Sequence, residues 1–207
     1  MKVVVKIGGS LIKEAPDLIK MLLERFSERA SILIVPGGGP FADAIRVADT
    51  QFGIGNEAAH WMAILSMEQY AYYLMDKSGA KGTSFPENPE KGVKVLLPYN
   101  LIKETDPLSH SWTVTSDSLA AWVARRMGAK FVKVTDVDGV FRNSKLLKEI
   151  SAFELSQMKF SCTDSALPAF LLENRMDCLV VNGKFPERVA GALFGKPVLG
   201  TVVKGNI

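Results

Sequence analysis

The sequence contains few of the residues that build disulfides or structural metal sites. Its 207 residues include two cysteines and two histidines. The cysteines, Cys162 and Cys178, are isolated in the chain, and no C-x-x-C pair or Cys/His cluster occurs. This spacing argues against a structural zinc site and favours a reducing compartment, so we expect a cytoplasmic protein.

Long apolar segments and a strong net charge are also missing. No uninterrupted apolar run approaches the roughly 20 residues that a transmembrane helix needs, and the first apolar run is too short for a signal peptide. The formal net charge is +3, from 25 basic and 22 acidic residues, and no arginine-rich stretch occurs. We therefore expect neither a membrane nor a nucleic acid as a partner.

Apolar residues, in contrast, make up 47% of the sequence, which is enough for one sizeable core. We expect a single domain over residues 1–207. Val- and Ile-rich runs predict strands at Lys2–Ile7, Ser31–Val35, Val93–Leu97, Lys130–Thr135, Asp177–Val181 and Pro197–Val203. Helical apolar spacing predicts helices at Ala15–Arg29, Phe41–Phe52, Asn56–Met75, Ser116–Met127, Ala166–Asn174 and Glu187–Phe194. This alternation indicates an α/β fold with a mostly parallel sheet covered on both faces.

Two segments between these elements look irregular. Gly79–Gly92 contains prolines, glycines and polar residues, and we interpret it as a mobile flap beside the site. Tyr99–Trp112 also has no clear period.

The first predicted strand leads into the segment Lys6–Ser10, which reads KIGGS. Glycines let backbone N–H groups approach phosphate oxygens closely, and a neighbouring lysine supplies a cation for a transferring phosphoryl group. The segment matches neither the Walker A motif nor the dinucleotide fingerprint. The alternative interpretation is a tight turn between a strand and a helix.

A second glycine-rich loop, Pro36–Gly39, follows the second predicted strand. Three successive glycines lose much backbone entropy when they are ordered, so the triplet favours a role in ligand binding. Ligands in parallel α/β folds bind at the carboxyl ends of the strands. We therefore expect the two glycine loops to lie at one edge of the sheet.

The polar segment Thr113–Asp117 begins a predicted helix, with Ser116 as its expected N-cap. These residues either cap the helix or let Asp117 hold a catalytic lysine through a charge-assisted hydrogen bond. Both roles are compatible with the sequence.

A third loop, Thr135–Phe141 (TDVDGVF), places two carboxylates directly after a strand. Three interpretations are open: the carboxylates bind a metal, they accept hydrogen bonds from a ribose, or they form an Asx turn at Asp138 and Gly139. Phe141 either faces a nucleotide base or packs into the core.

Four segments, taken in chain order, resemble the amino acid kinase superfamily. They are KIGGS, VPGGG, TSDS with its following Ala-Ala helix, and TDVDGVF. That superfamily includes acetylglutamate, glutamate, aspartate, carbamate, uridylate and isopentenyl phosphate kinases. The resemblance spans the chain as far as Gly200–Val203. It implies an αβα sandwich that binds ATP with magnesium on one side and an acidic acceptor on the other, usually as a homodimer or higher homo-oligomer.

The resemblance also implies roles for individual residues. Lys6 and Asp117 would be catalytic, with Lys6 stabilising the transferring phosphoryl group and Asp117 organising the site. The residues implied on the nucleotide side are Gly8, Gly9, Ser10, Thr135, Asp136, Asp138, Gly139 and Phe141. The residues implied on the acceptor side are Gly37, Gly38 and Gly39, together with Thr115 and Ser116.

One segment departs from the family pattern. Many members carry a second phosphate-binding lysine in a glycine-rich stretch, whereas Phe160–Leu167 has neither lysine nor glycine. It resembles the matching segment of uridylate kinases, with Asp164 at the position of their aspartate. The candidates to replace the missing cation are Lys184, Lys133 and magnesium. The alternative interpretation of Lys184 is a solvated surface residue.

Three further segments resemble a smaller branch of the superfamily, which phosphorylates an aminomethylfuran-methyl phosphate in archaeal methanofuran biosynthesis. They are VPGGGPFAD, AHWMAI, and VNG followed by PERV. Such an acceptor carries a phosphate, an aromatic ring and an amine. The glycine triplet would hold the phosphate, His60 and Trp61 would contact the ring, and Asp43 would pair with the amine. Alternatively, Trp61 is a core aromatic and His60 a surface or capping residue. The rival functions are a uridylate-like kinase and a nucleotide-binding protein without kinase activity.

Overall fold

A computed structural model describes residues 1–85, 90–159 and 161–205. The strands are β1 Lys2–Ile7, β2 Ser31–Pro36, β3 Lys81–Thr83, β4 Gly92–Leu96, β5 Lys130–Thr135, β6 Phe141–Arg142, β7 Lys145–Leu146, β8 Glu149–Ser151, β9 Cys178–Asn182 and β10 Gly200–Lys204. The helices are α1 Ala15–Phe26, α2 Gly39–Phe52, α3 Asn56–Ser78, α4 Pro98–Thr105, α5 Ser116–Met127, α6 Ala152–Ser156, α7 Leu167–Glu173 and α8 Pro186–Leu193.

Eight strands form the central sheet in the order β3-β4-β2-β1-β5-β9-β10-β8. Strand β1 lies in the middle and pairs in parallel with both β2 and β5. Strand β10 runs antiparallel to β9, and the short β6 and β7 form a separate hairpin. The prediction of an α/β fold with a mostly parallel central sheet is therefore confirmed.

The helices divide between the two faces of the sheet because side chains alternate along each strand. Val3 and Val5 of β1 belong to the core that includes the apolar side of α1. Val4, between them, belongs to the opposite core, which includes the apolar side of α5. Lys6 follows Val4 on the same side of the strand, so the alternation directs its side chain toward the helix that carries Asp117.

Each predicted strand and helix has a counterpart close to its expected bounds, but the structure also contains short elements that the sequence did not reveal. Helix α4 occupies the first half of Tyr99–Trp112, which the sequence indicated as irregular. The predicted flap Gly79–Gly92 begins instead with edge strand β3, which pairs with β4; residues 86–89 of that prediction lie outside the described residues. Pro98 at the start of α4 and the shortness of β3 explain why neither shows a clear period.

The carboxyl ends of β1, β2, β5 and β9 lie together at one edge of the sheet because these neighbouring strands are parallel. The two glycine loops and the Thr135–Phe141 loop leave from this edge, as expected. Among the residues described here, no helix combines the length and apolar character needed to cross a membrane.

Candidate active site

The two glycine loops touch each other through their backbones. A Cβ atom placed on Gly9 would lie 2.2 Å from the Cα of Gly39, and one on Gly37 would lie 3.0 Å from the backbone nitrogen of Gly9. Gly39 also has a φ of +54°, a conformation that favours glycine. Close approach of the loops therefore explains part of the glycine pattern, independently of any ligand.

Substituting Gly9 with alanine should disturb this contact. The new methyl group would press on the backbone of Gly39, which has no flexible side chain to move aside, so we expect a loss of about 1–3 kcal/mol in unfolding free energy. Urea denaturation measures this loss. The matched control is Gly55→Ala, because no atom lies within 4 Å of the corresponding Cβ and the φ is −66°. Equal stability of the two variants would contradict the proposed packing of the loops.

A buried charge cluster lies on the α5 side of β1. Asp117, in the first turn of α5, places its Oδ1 2.7 Å from the Nζ of Lys6. The Nζ of Lys133 lies 2.6 Å from Oδ1 and 2.7 Å from Oδ2 of the same carboxylate. All three residues are buried. Asp117 thus contacts two lysines from neighbouring strands.

The electrostatics of the cluster differ for its three members. Burial, together with the charge of Lys133, lowers the pKa of Lys6, although Asp117 acts in the opposite direction. Burial would also lower the pKa of Lys133, but its double contact with Asp117 outweighs that effect and raises it. Burial would raise the pKa of Asp117, yet the two ammonium groups hold it far below its ordinary value. The carboxylate is therefore ionised at neutral pH.

Asp164 fixes the start of α5. Its carboxylate accepts hydrogen bonds from the backbone and side chain of Thr115, at 2.9 and 2.8 Å, and from those of Ser118, at 3.0 and 2.6 Å. The backbone N–H of Asp164 donates to Oδ2 of Asp117 at 3.1 Å. The N-cap of α5 is Thr115, so the expectation of a Ser116 cap was wrong. Thr115 occupies the extended conformation that an N-cap requires.

The other side of the first glycine loop carries an exposed polar group. Ser10 donates to Oδ1 of Asp136 at 3.0 Å. Burial would raise the pKa of Asp136, but this bond and neighbouring groups, including the charge of Lys184, hold it below its usual range. The Lys184 side chain is exposed and follows β9. Ser10, Asp136 and Lys184 therefore lie near one another at the open edge of the sheet.

Contacts with β9, α8 and β10 hold Asp138 and Gly139 of the third loop in place. Asp138 accepts hydrogen bonds from Asn182 at 2.9 Å and from Arg188 at 2.6 Å, which keep its pKa below the usual range. A Cβ on Gly139 would lie 2.4 Å from Oγ1 of Thr201, so the loop packs closely on β10. Phe141 begins the β6–β7 hairpin, and 42% of its surface is exposed, which argues against a place in the core.

A pocket that opens to solvent lies between α2, α3 and the start of α5. We call it the α2–α3 pocket. Polar and aromatic side chains in its lining are Arg46, His60, Trp112, Thr115 and Ser116, and Gly38 borders it from the second glycine loop. The Arg46 guanidinium lies 5.1 Å from the centre of the Trp112 ring, whose indole N–H donates to Asp49 at 2.7 Å. The pocket therefore offers a cation stacked on an aromatic ring beside the glycine triplet.

Two residues expected at the acceptor side have other partners. The Asp43 carboxylate pairs with Arg46 of the same helix at 2.6 Å, and its side chain is largely exposed. Trp61 does not line the α2–α3 pocket; its ring packs under the ammonium of Lys103 at 4.0 Å, and its indole N–H donates to Glu57 at 2.6 Å. Of the three side chains expected around the acceptor ring and amine, only His60 borders the pocket.

The fold brings the two histidines together. The rings of His60 and His110 stack at 3.9 Å between centroids. The two ring nitrogens of His110 face carboxylates, Asp106 at 2.8 Å and Glu57 at 2.5 Å, and these contacts raise its pKa. Burial lowers the pKa of His60, whose Nε2 has no hydrogen-bond partner in the described part of the chain.

Sequence reasoning missed several of these residues. Arg46 and Trp112 lie in segments without a recognisable motif, and only the packing of α2 against the loop before α5 joins them. Lys133, a candidate from the sequence for the missing cation, stands opposite Lys6 in the β1–β5 register, and its contact with Asp117 was not foreseen. A lysine within the otherwise apolar run of β5 was the available signal, because a buried lysine needs a partner.

The parallel sheet, the touching glycine loops and the buried Lys6 beside them are compatible with a phosphotransferase of the α/β class. The sequence profile of the amino acid kinase family matches residues 1–182. The [5-(aminomethyl)furan-3-yl]methyl phosphate kinase of Methanocaldococcus jannaschii is 35% identical over 98% of this chain and 97% of its own. An acetylglutamate kinase of Bacillus cereus is 23% identical over 74% of this chain and 75% of its own. The chain therefore belongs to the amino acid kinase family, and it is a kinase.

Solved structures agree on the fold. The crystal structure of the uridylate kinase of Archaeoglobus fulgidus superimposes with a TM-score of 0.76 at 19% identity, covering 98% of this chain and all of that chain. The UMP kinase of Ureaplasma parvum superimposes with a TM-score of 0.74 at 16% identity, covering 99% of each chain.

Proposed function

We propose that this kinase transfers the γ-phosphoryl group of ATP to the phosphate of [5-(aminomethyl)furan-3-yl]methyl phosphate, forming the diphosphate and ADP. The observation that carries the proposal is the 35% identity, over nearly both full lengths, with the Methanocaldococcus jannaschii kinase of that acceptor. The α2–α3 pocket supports it, because an arginine, an aromatic ring and a glycine-rich backbone suit a phosphate attached to a ring.

On the nucleotide side, we propose that the backbone of Gly8 and Gly9 and the hydroxyl of Ser10 contact the phosphates of ATP. Lys184 extends the positive field at this edge, near Asp136. The proposed base side is formed by Thr135 and Phe141, with Asp138 and Gly139 shaping the loop between them. The partial exposure of Phe141 leaves its ring free to contact a base.

Magnesium is part of the proposal as a partner of ATP, where it would neutralise charge on the phosphate oxygens. Asp136 is the carboxylate that fits such an ion, because it is partly exposed and lies beside the first glycine loop. Asp138 fits less well, because Arg188 and Asn182 already bond to it.

Catalysis in this proposal depends on positioning and charge stabilisation. An oxygen of the acceptor phosphate attacks the γ-phosphorus, and the bond to the ADP oxygen breaks. That oxygen is already ionised at neutral pH, so no general base is required. The Lys6 ammonium stabilises the charge on the transferring group, and Asp117 holds Lys6 in place.

On the acceptor side, we propose that Gly37–Gly39, Thr115 and Ser116 face the acceptor phosphate and that Arg46 pairs with it. The rings of Trp112 and His60 border the space left for the furan. Asp43, which pairs with Arg46, is the proposed partner of the acceptor amine. Trp61 contacts the His60 ring edge-on, at 4.9 Å between centroids.

Replacing Arg46 with methionine should raise KM for the furan phosphate about 10-fold and leave kcat largely intact. The guanidinium would donate a charged hydrogen bond to an oxygen of the acceptor phosphate that does not attack, equally in the ground state and the transition state, and its exposure weakens that contact. Steady-state kinetics with varied acceptor measure the effect. Arg29→Met is the control, because Arg29 is exposed and lies at the other end of the sheet, just before β2. A collapse of kcat without a change in KM would contradict this role.

The choice of acceptor is tested by comparing turnover with the furan phosphate and with UMP at equal ATP. The proposal predicts a kcat/KM at least about 100-fold higher for the furan phosphate. A preference for UMP would establish the uridylate-like alternative, which the segment around Asp164 favours. ATP binding without transfer to either acceptor would favour a nucleotide-binding protein without kinase activity.

We also propose a cytoplasmic protein that forms a homodimer or a higher homo-oligomer. The two cysteines are free, in keeping with a reducing compartment. Apolar side chains on α2 and α3 are exposed, among them Phe52 at 78% and Tyr72 at 58%, and such a surface suits contact with a second copy.

A further inference from the structure

Lys6 and Lys133 occupy paired positions in the parallel register of β1 and β5. Paired residues of neighbouring strands project from the same face of the sheet, so the two side chains run side by side toward α5. The two ammonium groups contact the same carboxylate oxygen and therefore lie close together, and away from water they repel each other strongly. The Asp117 carboxylate, which contacts both, makes the arrangement stable.

The cluster has an uneven charge. Two lysines and one carboxylate leave one net positive charge, and the exposed fractions of Lys6, Lys133 and Asp117 are 6%, 3% and 3%. Burial weakens solvent screening of that charge. A single Lys6–Asp117 pair would be neutral and would present only a dipole to an anion.

The bonds within the cluster are distributed unevenly as well. Lys133 bonds to both oxygens of Asp117, and the backbone N–H of Asp164 donates to Oδ2. Lys6 contacts Oδ1, and its Nζ would lie 3.7 Å from a Cβ on Gly8, so it borders the first glycine loop. An ammonium has three N–H donors. Lys6 therefore retains donors for a ligand at that loop, whereas Lys133 is directed into the carboxylate.

We propose that Lys133 is a positioning residue that acts through Asp117: its ammonium neutralises the carboxylate, so that the full charge of Lys6 faces the transferring phosphoryl group. This inference rests on the proposed function, because it assigns Lys133 a part in that same transfer. Asp164 contacts Asp117, and the described residues around it, 161–167, contain no lysine. The second ammonium of the cluster comes instead from Lys133.

The test is Lys133→Met, which removes the charge and keeps most of the volume. The fold should persist, because Asp117 remains paired with Lys6 and with the N–H of Asp164. We expect kcat to fall about 10–100-fold, less than for the loss of a group that touches the phosphoryl oxygens. KM for both substrates should change little. The control is Lys130→Met, at the exposed start of the same strand.

The pH dependence separates this role from simple packing. Lys133 lowers the pKa of Lys6, so its removal should raise that pKa and move the alkaline limb of the kcat profile to higher pH. Besides the cluster itself, the titratable groups near it in the described residues include Asp164, whose backbone contacts Asp117, and the thiols of Cys162 and Cys178, whose pKa values burial raises. A residue that only fills space would change thermal stability and leave the alkaline limb in place.

A reduced kcat together with an alkaline limb at higher pH supports the proposal. Wild-type kcat, or a reduced kcat with an unmoved limb, overturns it. If the wild-type protein transfers phosphate to neither the furan phosphate nor UMP, the proposed function fails separately. The role of Lys133 is then decided without substrate, by a titration of Lys6 followed by NMR of ¹⁵N-labelled lysine side chains: an unchanged Lys6 pKa in Lys133→Met would exclude it.

Discussion

Replacing Lys6 with methionine should lower kcat about 10²–10³-fold while the protein stays folded and binds ATP. Lys6 is the cation nearest the first glycine loop, and the charge on the transferring phosphoryl group needs a fixed donor there. The substitution leaves Asp117 paired with Lys133, which already bonds to both carboxylate oxygens. No buried charge is left alone, so the loss should appear in turnover and not in folding.

The matched control for this prediction is Lys2→Met. Lys2 lies on the same strand and the same side of it, but it is exposed at the opposite end. Its replacement should leave kcat unchanged. The assignment of Lys6 would be wrong if Lys6→Met retained near-normal turnover with a native circular dichroism spectrum.

Substituting Asp117 with asparagine should cost about 3–5 kcal/mol in unfolding free energy and abolish most activity. The change leaves two buried ammonium groups on neighbouring strands without the carboxylate that compensates them, and breaking a buried ion pair in this way is strongly destabilising. Urea denaturation at pH 7 measures the loss. Asp17→Asn removes an exposed partner of Lys20 and should leave the denaturation midpoint unchanged.

The pH dependence of this stability loss has a definite sign. Burial alone would raise the pKa of Asp117, but Lys133 and Lys6 hold it well below the ordinary value of 3.8. A carboxylate with a depressed folded-state pKa stabilises the fold above its unfolded pKa and loses that contribution as the pH falls toward the folded value. The stability difference between wild type and Asp117→Asn should therefore be full at pH 6–7 and shrink below about pH 4. A difference independent of pH would contradict ion pairing as its cause.

Much of the fold follows from local sequence. The Val-rich run of β1 has one register that buries Val3 and Val5 on one face and Val4 on the other, and the parallel neighbours follow from the intervening helices. Edge strand β3 and the β6–β7 hairpin are too short to have a period, and Pro98 at the start of α4 resembles a loop signal. These elements depend on tertiary contacts that no local window contains.

The parts of the candidate site that lie on loops could be proposed from the sequence, whereas the parts that depend on packing could not. KIGGS and the glycine triplet indicated a phosphate site from their backbone requirements alone. The Lys133–Asp117 contact depends on the register of two strands and the docking of α5, and the placing of Arg46 over Trp112 depends on how α2 meets a distant loop. His60 and His110 are separated along the chain, so their stacking could not be inferred from spacing.

We propose that Lys6 and Asp117, at the carboxyl ends of the parallel strands, direct phosphoryl transfer to the furan phosphate. The most direct measurement incubates the protein with [γ-³²P]ATP and [5-(aminomethyl)furan-3-yl]methyl phosphate, follows the label, and identifies the product by ³¹P NMR. We expect label in a new phosphoanhydride in wild type and in Lys2→Met, and a rate about 10²–10³-fold lower in Lys6→Met. Label that stays in ATP, or that is released only as inorganic phosphate, would contradict transfer to this acceptor.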